Sequence, residues 1–153
     1  MTFVVVTCIH ENNGASLTPI HINGAYNAPG AAFSASCAWL PQIVSGYDPS
    51  LYVVKSARWL LTVTWPWSAA AVRVIAGSPS FTKSKLIGTS GHYGGATNPQ
   101  NLCVDVTSEM AEVFADGDFV QISTQIMSPS GGASPVVYQS QLVCEFEPVG
   151  GNA

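Results

Sequence analysis

The chain has 153 residues, of which only 9% are charged, and its nine acids and five bases leave a net charge of −4. That length holds one closed core, and five scattered bases give no basic stripe to neutralise phosphates, which argues against a nucleic-acid partner. Although 47% of the residues are hydrophobic, no run approaches the roughly eighteen apolar residues of a membrane-spanning helix, so no membrane is expected.

In chain order, the first element is the β-branched stretch TFVVVTCI. It reads as a strand that must add to a sheet in its own domain or on a neighbour, with Val4, Val5 and Val6 as packing or interface residues. The opening MTFVVVTCIHENNG has neither a basic n-region nor a small-residue cleavage site, which leads to the expectation of synthesis in a cytoplasm. Gly/Pro punctuation follows in NAPGAA and SGYDPS. RWLLTVTWPW then places Trp59, Leu61, Val63 and Trp65 on one face of a strand, the expected core face, and Leu60, Thr62 and Thr64 on the other. Pro66 cannot donate to a ladder and should end that strand. Trp67 and Trp39 are left as candidates for exposure.

Farther on, Val72 alternates with Val74, and Leu102 with Val104 and Val106. TSEMAEVFA, residues 107–115, is the one stretch that could turn helical. Val120, Ile122 and Ile126 oppose Gln121, Ser123 and Gln125. The last segment sets Val136, Tyr138, Leu142, Cys144 and Phe146 against Gln139, Gln141, Glu145 and Glu147, with polar faces outside. Short alternating strands separated by turns define an all-β antiparallel sandwich or jelly roll. The four cysteines, Cys8, Cys37, Cys103 and Cys144, have no metal-knuckle or redox spacing and read as small buried thiols, a disulfide staying open only for a mature particle that meets an oxidising exterior.

Little in the sequence suggests chemistry. GTSGH puts Ser90 near a nucleophile-elbow pattern, but His92 stands where glycine is needed and no helix follows. His10, His21 and His92 lack metal-ligand spacing. Asp116 and Asp118 flank Gly117, a pattern that suits a hairpin turn better than calcium, which needs six to eight oxygens. Glu109 and Glu112 have no companion acid or nucleophile. No cofactor motif is present, and the expectation is that the chain is not an enzyme and holds no metal.

From Gly46 onward, GYDPSLYVV, RWLLTVTW, EVFADGDFVQIST and the closing LVCEFEP resemble the C1q/TNF-like jelly roll of trimeric heads and of many phage surface proteins. The terminal strand lacks the Phe-Gly pair often seen in that group. The resemblance implies a homotrimer packed along an apolar three-fold axis. It divides the single β domain, residues 1–153, into a core over 46–147 and an N-terminal arm or extra strands over 1–45.

These readings lead to a virion structural protein of a tailed phage, most specifically a capsid decoration protein that trimerises on a shell, with a major capsid protein or other virion proteins as partners. The alternative is a tail-fibre-type knob that binds a host-surface glycan. In that reading Trp67 is an exposed aromatic, and in the loop SGHYGGATNPQN Tyr93 would stack on a sugar while Asn98, Gln100 and Asn101 bond its hydroxyls.

Overall fold

The computed structural model describes residues 2–11, 37–39, 51–65, 71–90, 96–127 and 136–149, the side chains of a few of these excepted. Two four-stranded antiparallel sheets face each other. The first runs β1 (Phe3–Glu11), β8 (Val136–Pro148), β3 (Tyr52–Trp65), β6 (Ala96–Asp105), and the second β2 (Cys37–Trp39), β7 (Gln121–Met127), β4 (Ala71–Gly77), β5 (Ser84–Thr89). Among these strands only β4 and β5 are both consecutive in sequence and paired, and every other connection crosses between the sheets. This is the all-β jelly roll that the alternation predicts.

The tryptophan strand lies at the centre of the first sheet, between β8 and β6. Trp59 is aligned with Leu142 on one side and Val104 on the other, and Trp59, Leu61 and Val63 are at most 1% exposed. Burial of that order stabilises by about 1.5–3 kcal/mol per large side chain. An indole in a core needs a partner for its N–H. Trp59 Nε1 donates to Ser140 Oγ at 2.8 Å, and Thr124 Oγ1 on β7 donates to the same oxygen at 2.8 Å, so a buried chain of three polar groups ties the sheets together. Gly88 on β5 makes room for the ring, since a Cβ there would stand 3.2 Å from Trp59 Cε3. β3 ends at Trp65, immediately before Pro66, and the Trp65 side chain lies outside the described residues.

One end of the sandwich is closed by α1, Thr107–Ala115, which buries Met110 and Val113. The Phe114 ring meets Phe146 edge-on at 5.1 Å. Asp105 holds the start of this helix, its Oδ1 accepting both the Thr107 N–H at 3.0 Å and the Thr107 hydroxyl at 2.6 Å. These bonds hold the Asp105 carboxyl below the usual carboxylate range, with Arg58 adding a smaller pull. Elsewhere, Phe81 takes a left-handed backbone (φ 53°) and lays its ring on Gly77, where any side chain would collide with it.

Three expectations are corrected. First, Val137 is fully buried while Val136 and Tyr138 are half-buried. The pairing of β8 with β3 slips between Thr62–Gln139 and Val63–Val137, and the extra residue of that bulge flips the alternation. Second, Ser123 and Gln125 are 0% and 2% exposed. They do sit opposite Ile122 and Ile126, but much of the outward face of β4 and β7 is itself covered, with Arg73 and Gln121 half-buried. Ala71 and Ile75 are buried there, and Arg73 Nε donates to Gln125 Oε1 at 2.7 Å. Third, Cys8 and Cys103 are exposed and only Cys144 is buried. Burial pushes the Cys144 thiol up to about 12, whereas the other two stand on the outward parity of their strands. The Cys37 side chain lies outside the described residues.

Candidate functional site

The feature that sets this molecule apart is the outward face of the first sheet. Strand register lays Val6, Val143, Arg58 and Asp105 in one row across the four strands, and Cys8, Gln141, Leu60 and Cys103 in the next. Val4 and Val6 are each 57% exposed and Val53 is 42% exposed, while Leu60 and Val143 are half-buried. Its charges are largely neutralised within the chain. Glu145 is met by Lys55 at 3.5 Å and by the Ser56 hydroxyl at 3.3 Å, and Asp105 by Arg58 at 4.0 Å. Cys8 and Cys103 sit three strand spacings apart on this face, roughly 14 Å, too far for a disulfide within one chain.

Sequence reasoning brought Val4, Val5 and Val6 together as one packing group, and the structure divides them. Val5 packs against the core, whereas Val4 and Val6 face solvent. The signal for the exposed face was present in the off-core parity of Leu60 and of Val143 beside Glu145. It becomes a surface only once β1, β8 and β3 are known to be neighbours.

Of the glycan candidates, Trp67 and Tyr93 lie outside the described residues, as does the side chain of Asn98. Gln100 and Asn101 fall on opposite faces of β6, and Asn101 Oδ1 accepts the Thr62 hydroxyl at 2.8 Å. Ser90 is pinned to β4, its Oγ accepting the Val72 N–H at 2.9 Å and its own N–H bonding the Val72 carbonyl at 2.8 Å. That is the geometry of a strand-edge tie. His21 and His92, and the His10 side chain, lie outside the described residues.

The Asp116-Gly117-Asp118 turn closes on itself, with the Asp118 N–H bonded to Asp116 Oδ1 at 3.0 Å. The Lys83 ammonium bridges the two carboxylates at 2.6 and 3.2 Å, and lies 5.1 Å from the centre of the Phe119 ring. A lysine thus occupies the position between the carboxylates that a cation would take. These bonds raise the Lys83 pKa and lower that of Asp116. An open cleft of about 400 Å³ lies alongside, lined by Ser78, Thr82, Lys83, Gly117, Asp118 and Val120. Its polar groups are turned onto one another: the Ser78 and Thr82 hydroxyls are 3.0 Å apart, and Ser78 Oγ accepts the Lys83 N–H. Glu112 pairs with Lys85. Among the described residues no three His, Cys, Asp or Glu side chains gather as metal ligands, and no helix is long and apolar enough to cross a membrane.

No family profile matches the sequence, and no curated protein matches it. Among solved structures, the chain is similar to part of the structure of infectious bursal disease virus, Gx strain, with a TM-score of 0.42 and 14% identity over 98% of this chain and 33% of that one. For the Gt strain of the same virus the TM-score is 0.39, with 13% identity over 99% of this chain and 34% of that one. The chain therefore spans about a third of the length of the solved chains it matches.

Proposed function

We propose that this chain is a structural component of a virus particle, and within that class a capsid decoration protein that trimerises on a shell built by a major capsid protein. The observation that carries the reading is the outward face of the first sheet, where exposed valines and a half-buried leucine stand among charges most of which are paired within the chain. Exposed apolar side chains gathered on one sheet face, rimmed by polar groups, favour a protein contact. The basic residues supply no free field. Lys55, Arg58, Lys83 and Lys85 each pair with an acid and Arg73 with an amide, which fits a protein that meets other proteins rather than phosphates. The C1q/TNF-like layout favours three copies around an axis, and the exposed face is the surface available to line it. A non-catalytic role in a virion assembled from host-cytoplasm synthesis completes the reading.

The test is light scattering combined with a shell-binding assay. The wild-type protein is expected to scatter as three chains at low micromolar concentration and to co-sediment with shells of its own virus. Leu60→Lys, at the middle of the face, should abolish the trimer and weaken shell binding while leaving the fold intact. A wild-type monomer, or an L60K protein that still trimerises, would overturn the trimer. Reproducible binding of isolated protein to a glycan array, without shell binding, would replace decoration by the host-surface knob.

A further inference from the structure

The two sheets present four edge strands, and three of them are blocked against pairing with another chain. β2 has only three residues. β5 has Lys85 within it and Lys83 just before it. β6 contains Pro99 and ends on Asp105. Short length, lysine and proline are the devices that keep edges from pairing. β1 has none of them, and its one register shift falls between Cys8 and His10, beyond the stretch Phe3–Thr7. It runs nine residues, FVVVTCIHE, and its only acidic or basic side chains, His10 and Glu11, come at its far end. Among the described residues its sole strand partner is β8, so the stretch Phe3–Thr7 offers alternate N–H and carbonyl groups on its other side. The one charge beside it on the outward face, Glu145 opposite Val4, is neutralised by Lys55 at 3.5 Å.

We propose that β1 pairs edge to edge with β1 of a second copy of this chain, antiparallel across a two-fold axis, joining the first sheets of two molecules into one eight-stranded sheet. The occupant is a second copy because the edge is complementary to itself. The uncharged stretch Phe3–Thr7 laid antiparallel on its own image brings no like charges together. Outward residues stay with outward ones, so Val4 and Val6 of one molecule continue onto Val6 and Val4 of the next. A two-fold contact of this kind closes after two molecules. It uses backbone groups at the sheet edge, whereas the trimer contact uses side chains on the sheet face, so neither depends on the other.

The test is amide hydrogen exchange on the full chain at low and high protein concentration, read together with light scattering. Alternate amides within Phe3–Thr7 are expected to gain roughly tenfold protection at high concentration, while their neighbours, already bonded to β8, stay unchanged. Scattering should then grow from three chains to multiples of three. In L60K, which breaks only the face contact, the edge alone should carry monomers to dimers. Neighbouring residues aim their N–H groups to opposite sides, so one of Val4→Pro and Val5→Pro removes a free edge donor and the other a ladder bond. The variant that keeps its fold should lose the concentration dependence but remain a trimer. Exchange at Phe3–Thr7 that ignores concentration, in a chain whose other amides show it folded, would overturn the pairing. A trimer lost in L60K with edge protection retained would uphold the pairing, and edge protection lost with the trimer intact would refute it.

Discussion

The two sheets are made of similar residues but are finished to different degrees. In the second sheet β4 buries Ala71, Ile75 and Gly77 on its outer face as well as Val72 and Val74 on its inner one, with Arg73 half-buried between them, and β7 buries Ser123 and Gln125 as well as Ile122 and Ile126. In the first sheet the inner face is packed to the same standard around Trp59, Leu142 and Phe146, while the outer face leaves Val4 and Val6 more than half exposed. Strands buried on both faces, as β4 and β7 largely are, contribute to their own fold, while β5 beside them leaves Leu86 48% exposed. A sheet packed on one face that leaves apolar side chains exposed on the other has stabilisation still to gain, at about 25 cal/mol per Å² of apolar surface covered. Apolar side chains are therefore unevenly used, covered on β4 and β7 and partly exposed, among paired charges, on the outer face of the first sheet.

The sharpest contrast falls within the first sheet and can be read from its thiols. Cys144 faces the core with its pKa raised to about 12, and Cys8 and Cys103 face outward. In an L60K protein, alkylation followed by peptide mass spectrometry should modify Cys8 and Cys103 at least about a thousandfold faster than Cys144, whose exposure requires unfolding. In the assembled wild type the gap should narrow, because the outward thiols become covered. Equal rates in the variant would erase the distinction between the two faces. The raised thiol pKa also has a consequence for stability. The folded state keeps this proton while the unfolded chain releases it from its ordinary value of 9.0 upward, so stability should fall as pH rises from about 9 towards 12.

Trp59→Ala should lower unfolding stability by about 3–5 kcal/mol in denaturant titration, because it empties the inner face and strands the Ser140 and Thr124 hydroxyls together. Trp59→Phe restores most of the volume but not the donor, and should recover only part of the loss. A change below about 1 kcal/mol for the alanine variant would mean that the two inner faces are not jointly held by this residue. The second sheet permits a change of opposite sign. Among the described residues Ser123 Oγ is buried with no hydrogen-bond partner, and an unsatisfied buried hydroxyl costs about 1–3 kcal/mol. Ser123→Ala should raise the melting temperature slightly, and a lower one would show that the hydroxyl is bonded in solution.

Most of the fold could be read from period-2 alternation. Trp59, Leu61 and Val63 face inward because a strand with one packed face must alternate. The jelly-roll class follows from many such strands separated by glycine and proline. What could not be read is whatever depends on neighbours. Val136 and Tyr138 share the parity of Leu142, Cys144 and Phe146 in the sequence, and only the pairing with β3 shows that one residue bulges out and puts Val137 inside instead. Gln125 and Ser123 are polar by type, yet their burial is decided by what lies over β4 and β7, a long-range property. Cys8 and Cys103 belong to residue types that favour interiors, but their parity sets them outside. The exposed face was the least legible feature, since it is built from four segments spread from Val4 to Val143 and none of them is unusual alone.

The smallest effect expected lies away from both sheet faces, at the turn before β7, and it tests whether that corner depends on ion pairing at all. Lys83 bridges Asp116 and Asp118 with all three side chains well exposed, a setting in which ion pairs contribute little. The sign of the dependence is nevertheless fixed. The Asp116 carboxyl is held below its ordinary value, first by the bond from Lys83 and then by the Asp118 N–H. Its contribution is therefore complete above the unfolded carboxylate pKa of about 3.9 and is lost as pH falls through the lower folded value. Lys83 is shifted upward by the same partners, so its contribution holds below about 10.4 and fades as pH rises beyond the folded value. Asp116→Asn keeps an oxygen to accept the Asp118 N–H and removes the charge. Its melting temperature should differ from wild type by a small constant amount between those limits, and the two curves should converge in acid. If the difference instead persisted undiminished at low pH, the turn would be held by its hydrogen bonds alone, and the lysine would be only a neighbour of the cleft.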